Sequence, residues 1–318
     1  MEELKKITYL SKLDNSMQPA LFLPAEGNEP RPLAVCLHTW SYGIDKAYDH
    51  FLERCKERNW HFIFPYFRGP NKTPQACGSD LVVSDLECAI DFVRENYLLD
   101  ESKIYLVGGS GGGHAALLMA GRRPELWTAV SAWCPITDVA KWCAEISVMK
   151  PNPEDRSYDY DIMDACGGDP AKDEKAAKEA AHRSPLTHLP GAKGKVTVEI
   201  GTGIHDGHPG VPVSHAVRAF NALASEEDRV SEEDMEYMDK MEAIPEHLKF
   251  RDADDPAFGP CKVLFRRISG RVRITLFEGG HDLLPGPAFG WLERQTRNAE
   301  PVWESGEFYD VKPTELTK

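Results

Sequence analysis

The chain has no apolar run long enough to cross a membrane, and no two of its eight cysteines form a C-x-x-C pair. The cysteines stand apart at 36, 55, 77, 88, 134, 143, 166 and 261, so neither a zinc ribbon nor a disulfide framework is expected. Most of them read as small buried side chains. The N-terminal stretch Met1-Glu2-Glu3-Leu4-Lys5-Lys6 lacks the apolar core of a secretion signal, and the expectation is a reduced, cytoplasmic protein. Positive charge is also short: 37 Lys and Arg against 51 Asp and Glu leave a formal charge of −14, which argues against nucleic acid or an anionic membrane as partner. Repeats and low-complexity tracts are missing too, and with 318 residues the chain reads as a single domain with an ample core.

What the chain does have is order. Runs rich in β-formers recur at Ala20–Leu23, Pro32–Leu37, His61–Phe64, Lys103–Val107, Thr128–Ala132, Val196–Ile200 and Val272–Phe277. Helical patterns lie between or after them at Lys46–Arg58, Asp80–Tyr97, Gly111–Arg122, Val213–Leu223 and Pro287–Gln295. Strand and helix in alternation predict an α/β fold with a doubly wound, mostly parallel sheet. Ile7–Leu10 and Ala20–Leu23 read as an antiparallel edge. Two helical insertions, at about 137–195 and 225–262, break the rhythm and are expected to form a cap or pocket wall. The second carries Met235, Met238 and Met241 at three-residue spacing, the pattern of a packed amphipathic helix or of an adaptable lid.

The sharpest signal is Gly108-x-Ser110-x-Gly112, between the run ending at Val107 and the small-residue helix from Gly111. A serine there sits on a tight strand-to-helix turn, with the following helix N-terminus directed at it. A phosphate-binding loop is the competing account, and it fails. His114 stands where a P-loop requires lysine, and no frame gives a dinucleotide pattern at the start of the helix.

A serine nucleophile needs a base and a carboxylate to orient that base. Asp206 follows the run Val196–Ile200 and His281 follows Val272–Phe277, each in a glycine-bearing loop. Asp138 is an alternative carboxylate, whereas Asp282 is too close along the chain to orient His281 easily. His205, Asp206 and His208 could together hold a metal, but all come from one loop with no helical ligand spacing, so no metal is expected. The oxyanion donors are expected to be the N–H groups of Gly111 and Trp40, with Thr39 as the alternative to Trp40. Thr39, Tyr42 and His114 are candidate substrate contacts, although a histidine one turn into this helix is more often packed beneath the turn.

With these residues in place the chain resembles the α/β-hydrolase superfamily, and within it the catalytic domain of the prolyl oligopeptidase-like group. The resemblance runs through Pro65-Tyr66-Phe67-Arg68-Gly69, Gly78-Ser79-Asp80 with Asp85, Arg183-Ser184-Pro185-Leu186, and Asp206-Gly207 to Val211-Pro212-Val213. It implies an α/β-hydrolase fold and acyl transfer through Ser110, His281 and Asp206, with no cofactor. The chain departs from the family at His38-Thr39-Trp40, where His-Gly-Gly is usual, and in a longer stretch between Asp206 and His281. The oligopeptidases resembled here carry a large N-terminal β-propeller, whereas this chain begins shortly before its first core strand. The expectation is therefore a stand-alone esterase cleaving an acyl or acetyl ester of a sugar or small molecule. A peptidase or aminopeptidase acting on short peptides is the alternative, and a binding module on an inactive hydrolase fold the third reading. Self-association into a homo-oligomer is left open.

Overall fold

The computed structural model describes residues 3–46, 48–149, 156–207, 210–249 and 255–304, and the backbone of 314–315. Nine strands form one sheet: β1 (Lys5–Leu10), β2 (Met17–Leu23), β3 (Arg31–Leu37), β4 (His61–Pro65), β5 (Leu99–Gly109), β6 (Ala129–Trp133), β7 (Thr197–Gly203), β8 (Val263–Ser269) and β9 (Val272–Phe277). Their spatial order is β1-β2-β4-β3-β5-β6-β7-β9-β8. The six from β4 to β9 in that order run parallel, while β1, β2 and β8 pair antiparallel at the two margins. This is the doubly wound, mostly parallel sheet expected from the sequence.

The reason is visible in burial. Every residue of β4, β6, β7 and β9 is buried, as strands covered on both faces must be, whereas β1 at the edge is mostly exposed. Helices α1 (Asp49–Arg58) and α10 (Pro285–Leu292) cover one face; α2 (Asp80–Asn96), α3 (Gly111–Arg122) and α8 (Val213–Leu223) cover the other. Caps fix the starts of several helices. The Ser79 hydroxyl accepts from the Val82 N–H at the head of α2, and the Asp173 carboxylate from Ala176 N–H at the head of the helix Glu174–Arg183.

The described residues of the first insertion include α4 (Val139–Met149), α5 (Tyr158–Cys166), α6 (Glu174–Arg183) and the single turn α7 (Pro185–His188). Their apolar faces enclose a separate cluster in which Trp142, Ile146 and Ile162 meet Trp40 of the β3 loop. In the second insertion α9 (Glu232–Met241) starts at Ser231, whose hydroxyl accepts the Asp234 N–H at 3.1 Å. Met235 and Met238 are buried in the core beside α8, while Met241 is 54% exposed. The packed account of this helix fits those positions. Strand β8 was not anticipated: its charged Arg266 and Arg267 hide the alternation of an edge strand. No helix among the described residues is long and apolar enough to cross a membrane.

Candidate active site

The carboxyl ends of the parallel strands lie together, and the chemistry collects there. Ser110 follows β5 and precedes α3 with φ +57° and ψ −121°, a conformation a non-glycine residue holds only under constraint from its surroundings. The constraint is traceable. Ser110 N–H donates to the Trp133 carbonyl at the end of β6 (2.8 Å), and the Ser110 carbonyl accepts from His114 N–H (2.9 Å). Gly111 is needed because a Cβ there would overlap the backbone N and Cα of Trp40. The same closeness sets the Trp40 backbone against Gly111, whose N–H lies in the first helical turn where no intrahelical acceptor exists.

Loop 38–40 is itself pinned. His38 is fully buried, stacks on Phe67 with ring centroids 3.8 Å apart, and places its nitrogens 2.8 and 2.9 Å from the carbonyls of Thr39 and Tyr66. Burial lowers its pKa. The Trp40 ring packs edge-on against Trp142 at 4.9 Å, and Trp142 stacks on half-buried Tyr158 at 5.3 Å. Trp142 and Tyr158 belong to α4 and α5, so the first insertion supplies an aromatic wall beside this loop.

Asp206 and His281 come from the loops after β7 and β9. The two loops touch closely, because Gly203 lies so near the backbone of Gly279 and Gly280 that any side chain there would overlap it. His281 Nδ1 lies 2.8 Å from Asp206 Oδ2, and the second carboxylate oxygen accepts from Val211 N–H at 3.0 Å. Asp206 is buried and His281 partly exposed, an arrangement that fixes the ring while leaving it approachable. The other acids do different work. Asp138 Oδ1 accepts from Lys141 N–H at the head of α4, and Asp282 Oδ2 accepts from Gly280 N–H within its own turn.

Thr39 is buried beside Gly111, while Tyr42 is half-buried beneath the Lys46 ammonium, 4.8 Å from its ring centroid. His114 fits the packed one of its two readings. It is fully buried, its Nε2 is 2.8 Å from the Arg183 carbonyl, and burial pushes its pKa down to about 4. It is a packed histidine under the turn. Of the suggested trio His205, Asp206 and His208, two members are described. His205 lies between Glu242 (2.9 Å) and Glu278 (2.6 Å), and His208 falls outside the described residues.

Two features escaped the sequence. Cys134 follows β6 with φ +45°, and its Sγ–H donates to the Asp282 carbonyl at 3.2 Å. Its position just beyond a strand end was the available signal. Beneath the site, Glu199 of β7 and Arg273 of β9 are register partners and form a fully buried ion pair. Glu199 also receives the Ser131 hydroxyl, which accepts from the Trp133 indole N–H at 2.8 Å. In the sequence each charge is a single interruption of an otherwise uncharged strand.

A sequence profile of the prolyl oligopeptidase family matches residues 79–241, just over half of the chain. Acylamino-acid-releasing enzyme 1 of Oryza sativa subsp. japonica is 28% identical over 142 residues, which cover 39% of this chain and 18% of that protein. Acylamino-acid-releasing enzyme 2 of the same organism is 21% identical over 236 residues, 66% of this chain and 28% of that protein. The chain thus spans less than a third of the length of either relative. Among solved structures, an acylaminoacyl peptidase of Pyrococcus horikoshii superposes with a TM-score of 0.61 at 14% identity, covering 95% of this chain and 43% of that one. A puromycin hydrolase gives 0.62 at 14% identity, covering 96% and 42%. At such identities the superpositions speak for the α/β-hydrolase fold, and the profile speaks for the family. The chain belongs to the prolyl oligopeptidase family and is a serine hydrolase.

Proposed function

We propose that this chain cleaves short peptides, with N-acylated ones as the favoured class, by acyl transfer through Ser110. The observation that carries the reading is the 2.8 Å contact of His281 with buried Asp206, in loops at the same sheet edge as the constrained Ser110 turn. Ser110 Oγ attacks the carbonyl while His281 Nε2 takes its proton and then delivers it to the leaving amine. Asp206 holds the tautomer with the proton on Nδ1 and stabilises the imidazolium that forms. The N–H groups of Gly111 and Trp40 receive the oxyanion, in a setting where fixed dipoles are worth most. A water deprotonated by His281 then releases the acyl group. No step requires a cofactor.

Half-buried Tyr158, stacked on buried Trp142 behind the Trp40 loop, offers an aromatic surface that suits an apolar acyl group or side chain. Esters would react on the same groups, and ester cleavage was the first expectation from the sequence. The acylamino-acid-releasing relatives shift the preference to amides. Side-by-side turnover of acetyl-aminoacyl anilides, unblocked aminoacyl anilides and nitrophenyl esters tests the choice. Acetylated amides should give the highest kcat/KM relative to uncatalysed hydrolysis; ester turnover with no amide turnover would return the reading to an esterase. A fluorophosphonate should label the wild type, fail on Ser110→Ala and label His281→Ala far more slowly. An unlabelled wild type would remove Ser110 from the mechanism.

A further inference from the structure

Cys134, Asp206 and His281 leave the carboxyl ends of three adjacent strands, β6, β7 and β9. One ligand-capable atom from each lies within 4.8 Å of the other two. A thiol, a carboxylate and an imidazole form the mixed sulfur, oxygen and nitrogen donor set that suits zinc and its heavier congeners, and not magnesium. We propose that these three side chains form an inhibitory site for a thiophilic divalent cation such as Zn2+ or Cd2+. The inhibitory half rests on the reading of His281 as the base; the binding half does not.

The geometry asks for little movement. Zinc bonds of roughly 2.0 Å to nitrogen and oxygen and 2.3 Å to sulfur set tetrahedral ligands about 3.3–3.6 Å apart. The Asp206–His281 contact therefore opens from 2.8 Å by on the order of half an ångström, while Cys134 Sγ, within 4.8 Å of both, draws in by on the order of 1 Å. Its surroundings already orient it. Val211 N–H holds one oxygen of Asp206 away, leaving the other towards His281 and the Thr202 hydroxyl, which is 3.4 Å from that oxygen and 3.7 Å from Cys134 Sγ. Such outer contacts steer metal ligands. Cys134 and Asp206 are buried while His281 is partly exposed, so the ion enters past the imidazole and leaves one coordination position for water.

Proton bookkeeping explains the inhibition. Before binding, the Nδ1–H of His281 faces Asp206 and the Nε2 lone pair is free to accept a proton from Ser110. The cation takes the Nδ1 lone pair, so the ring proton moves to Nε2, and the thiol proton of Cys134 leaves to solvent. One doubly charged cation enters and one proton departs, which takes the trio from one negative charge to neutral. With hydrogen on Nε2 the ring can no longer accept a proton. The block is in the chemical step, so kcat falls while KM stays.

The purified full chain, stripped with a chelator, would be titrated with Cd2+ while the ultraviolet thiolate-to-cadmium absorption is read, and with Zn2+ while turnover is read. Wild type should give the band at one ion per chain, lose kcat at constant KM, and recover on adding chelator, with Mg2+ inert. Cys134→Ala and Cys134→Ser, checked for wild-type folding by circular dichroism, should keep basal turnover, lose the band and need at least tenfold more Zn2+ for half-inhibition. A band of equal size in either variant, or equal zinc sensitivity, overturns the site. A Cys134-dependent band with unchanged kcat overturns the inhibition. If no substrate is turned over, the absorption titration still decides the site, so its failure and that of the peptidase reading are separable.

Discussion

The strand pair β7–β9 carries one ionic contact at its middle and another just beyond its carboxyl end, and the two obey different physics. Glu199 and Arg273 face each other as register partners with essentially no exposure. Arg273 is further wedged between the rings of Trp291 and Trp303, at 5.8 and 5.4 Å, and donates to the Trp303 carbonyl. Past the strand ends, His205 reaches two carboxylates, Glu242 and Glu278, with 43% of its side chain exposed. The buried pair has no solvent to fall back on, so each charge depends on the other. The exposed trio can exchange any partner for water at little cost. Between them sits the Asp206–His281 contact, with the acid buried and the base approachable. A group that must hand a proton on needs that middle position, because a fully buried histidine is driven neutral and a fully exposed one is not held in place.

The largest effect is expected from breaking the buried pair. Arg273→Met leaves the Glu199 carboxylate uncompensated, and loss of one partner of a buried pair costs about 3–5 kcal/mol. Because Glu199 is tied through Ser131 and Trp133 to the carbonyl that holds Ser110, turnover should fall along with stability. Glu199→Leu combined with Arg273→Met should recover most of the stability, since an apolar replacement of both partners removes the desolvation cost. Urea unfolding of the three proteins measures this. A single mutant within 1 kcal/mol of wild type would show that the pair is already solvated.

Next in size is the response to acid, which sets His114 against His205. Burial holds His114 near 4, whereas hydrogen bonds to Glu242 and then Glu278 raise His205 above its ordinary value. His114 is neutral in both folded and unfolded states above its ordinary pKa of roughly 6.5. As pH falls from there towards 4, the unfolded chain takes up a proton that the folded one refuses, so stability drops, by about 3 kcal/mol once pH is below both values. His114→Gln keeps a donor for the Arg183 carbonyl and removes this titration. Its unfolding free energy should therefore lose less between pH 6.5 and 4.5 than that of wild type. Equal losses would mean that His114 is protonated in the fold.

How much of this could be read beforehand follows the same division. The parallel strands were legible because burial on both faces forces continuous apolar runs, and the Ser110 turn because its glycines have no substitute. Asp206 and His281 were legible as loop residues after such runs. Strand β8 and helices α4 and α5 were not, because half-exposed elements tolerate charge and lose their periodicity. The Glu199–Arg273 pair could not be paired from sequence, since nothing local says that β9 lies next to β7 with β8 outside it. Cys134 looked like any buried cysteine until the three strand ends were side by side.

The smallest effect is expected from His205→Gln. The glutamine can still donate one hydrogen bond, and the ion pairs it replaces lie in water, where such contacts are worth under about 1 kcal/mol. Stability should change by less than that, and the difference should shrink further as salt rises from low to physiological strength. The effect should also be local. Glu242 closes α9 at its C-terminal end, so faster amide exchange is expected in the last turn of α9 and around Glu278, with the middle of β7 and β9 unchanged. Accelerated exchange at Glu199 or Arg273 would sink the comparison, for it would mean that the exposed trio and the buried pair open as one unit.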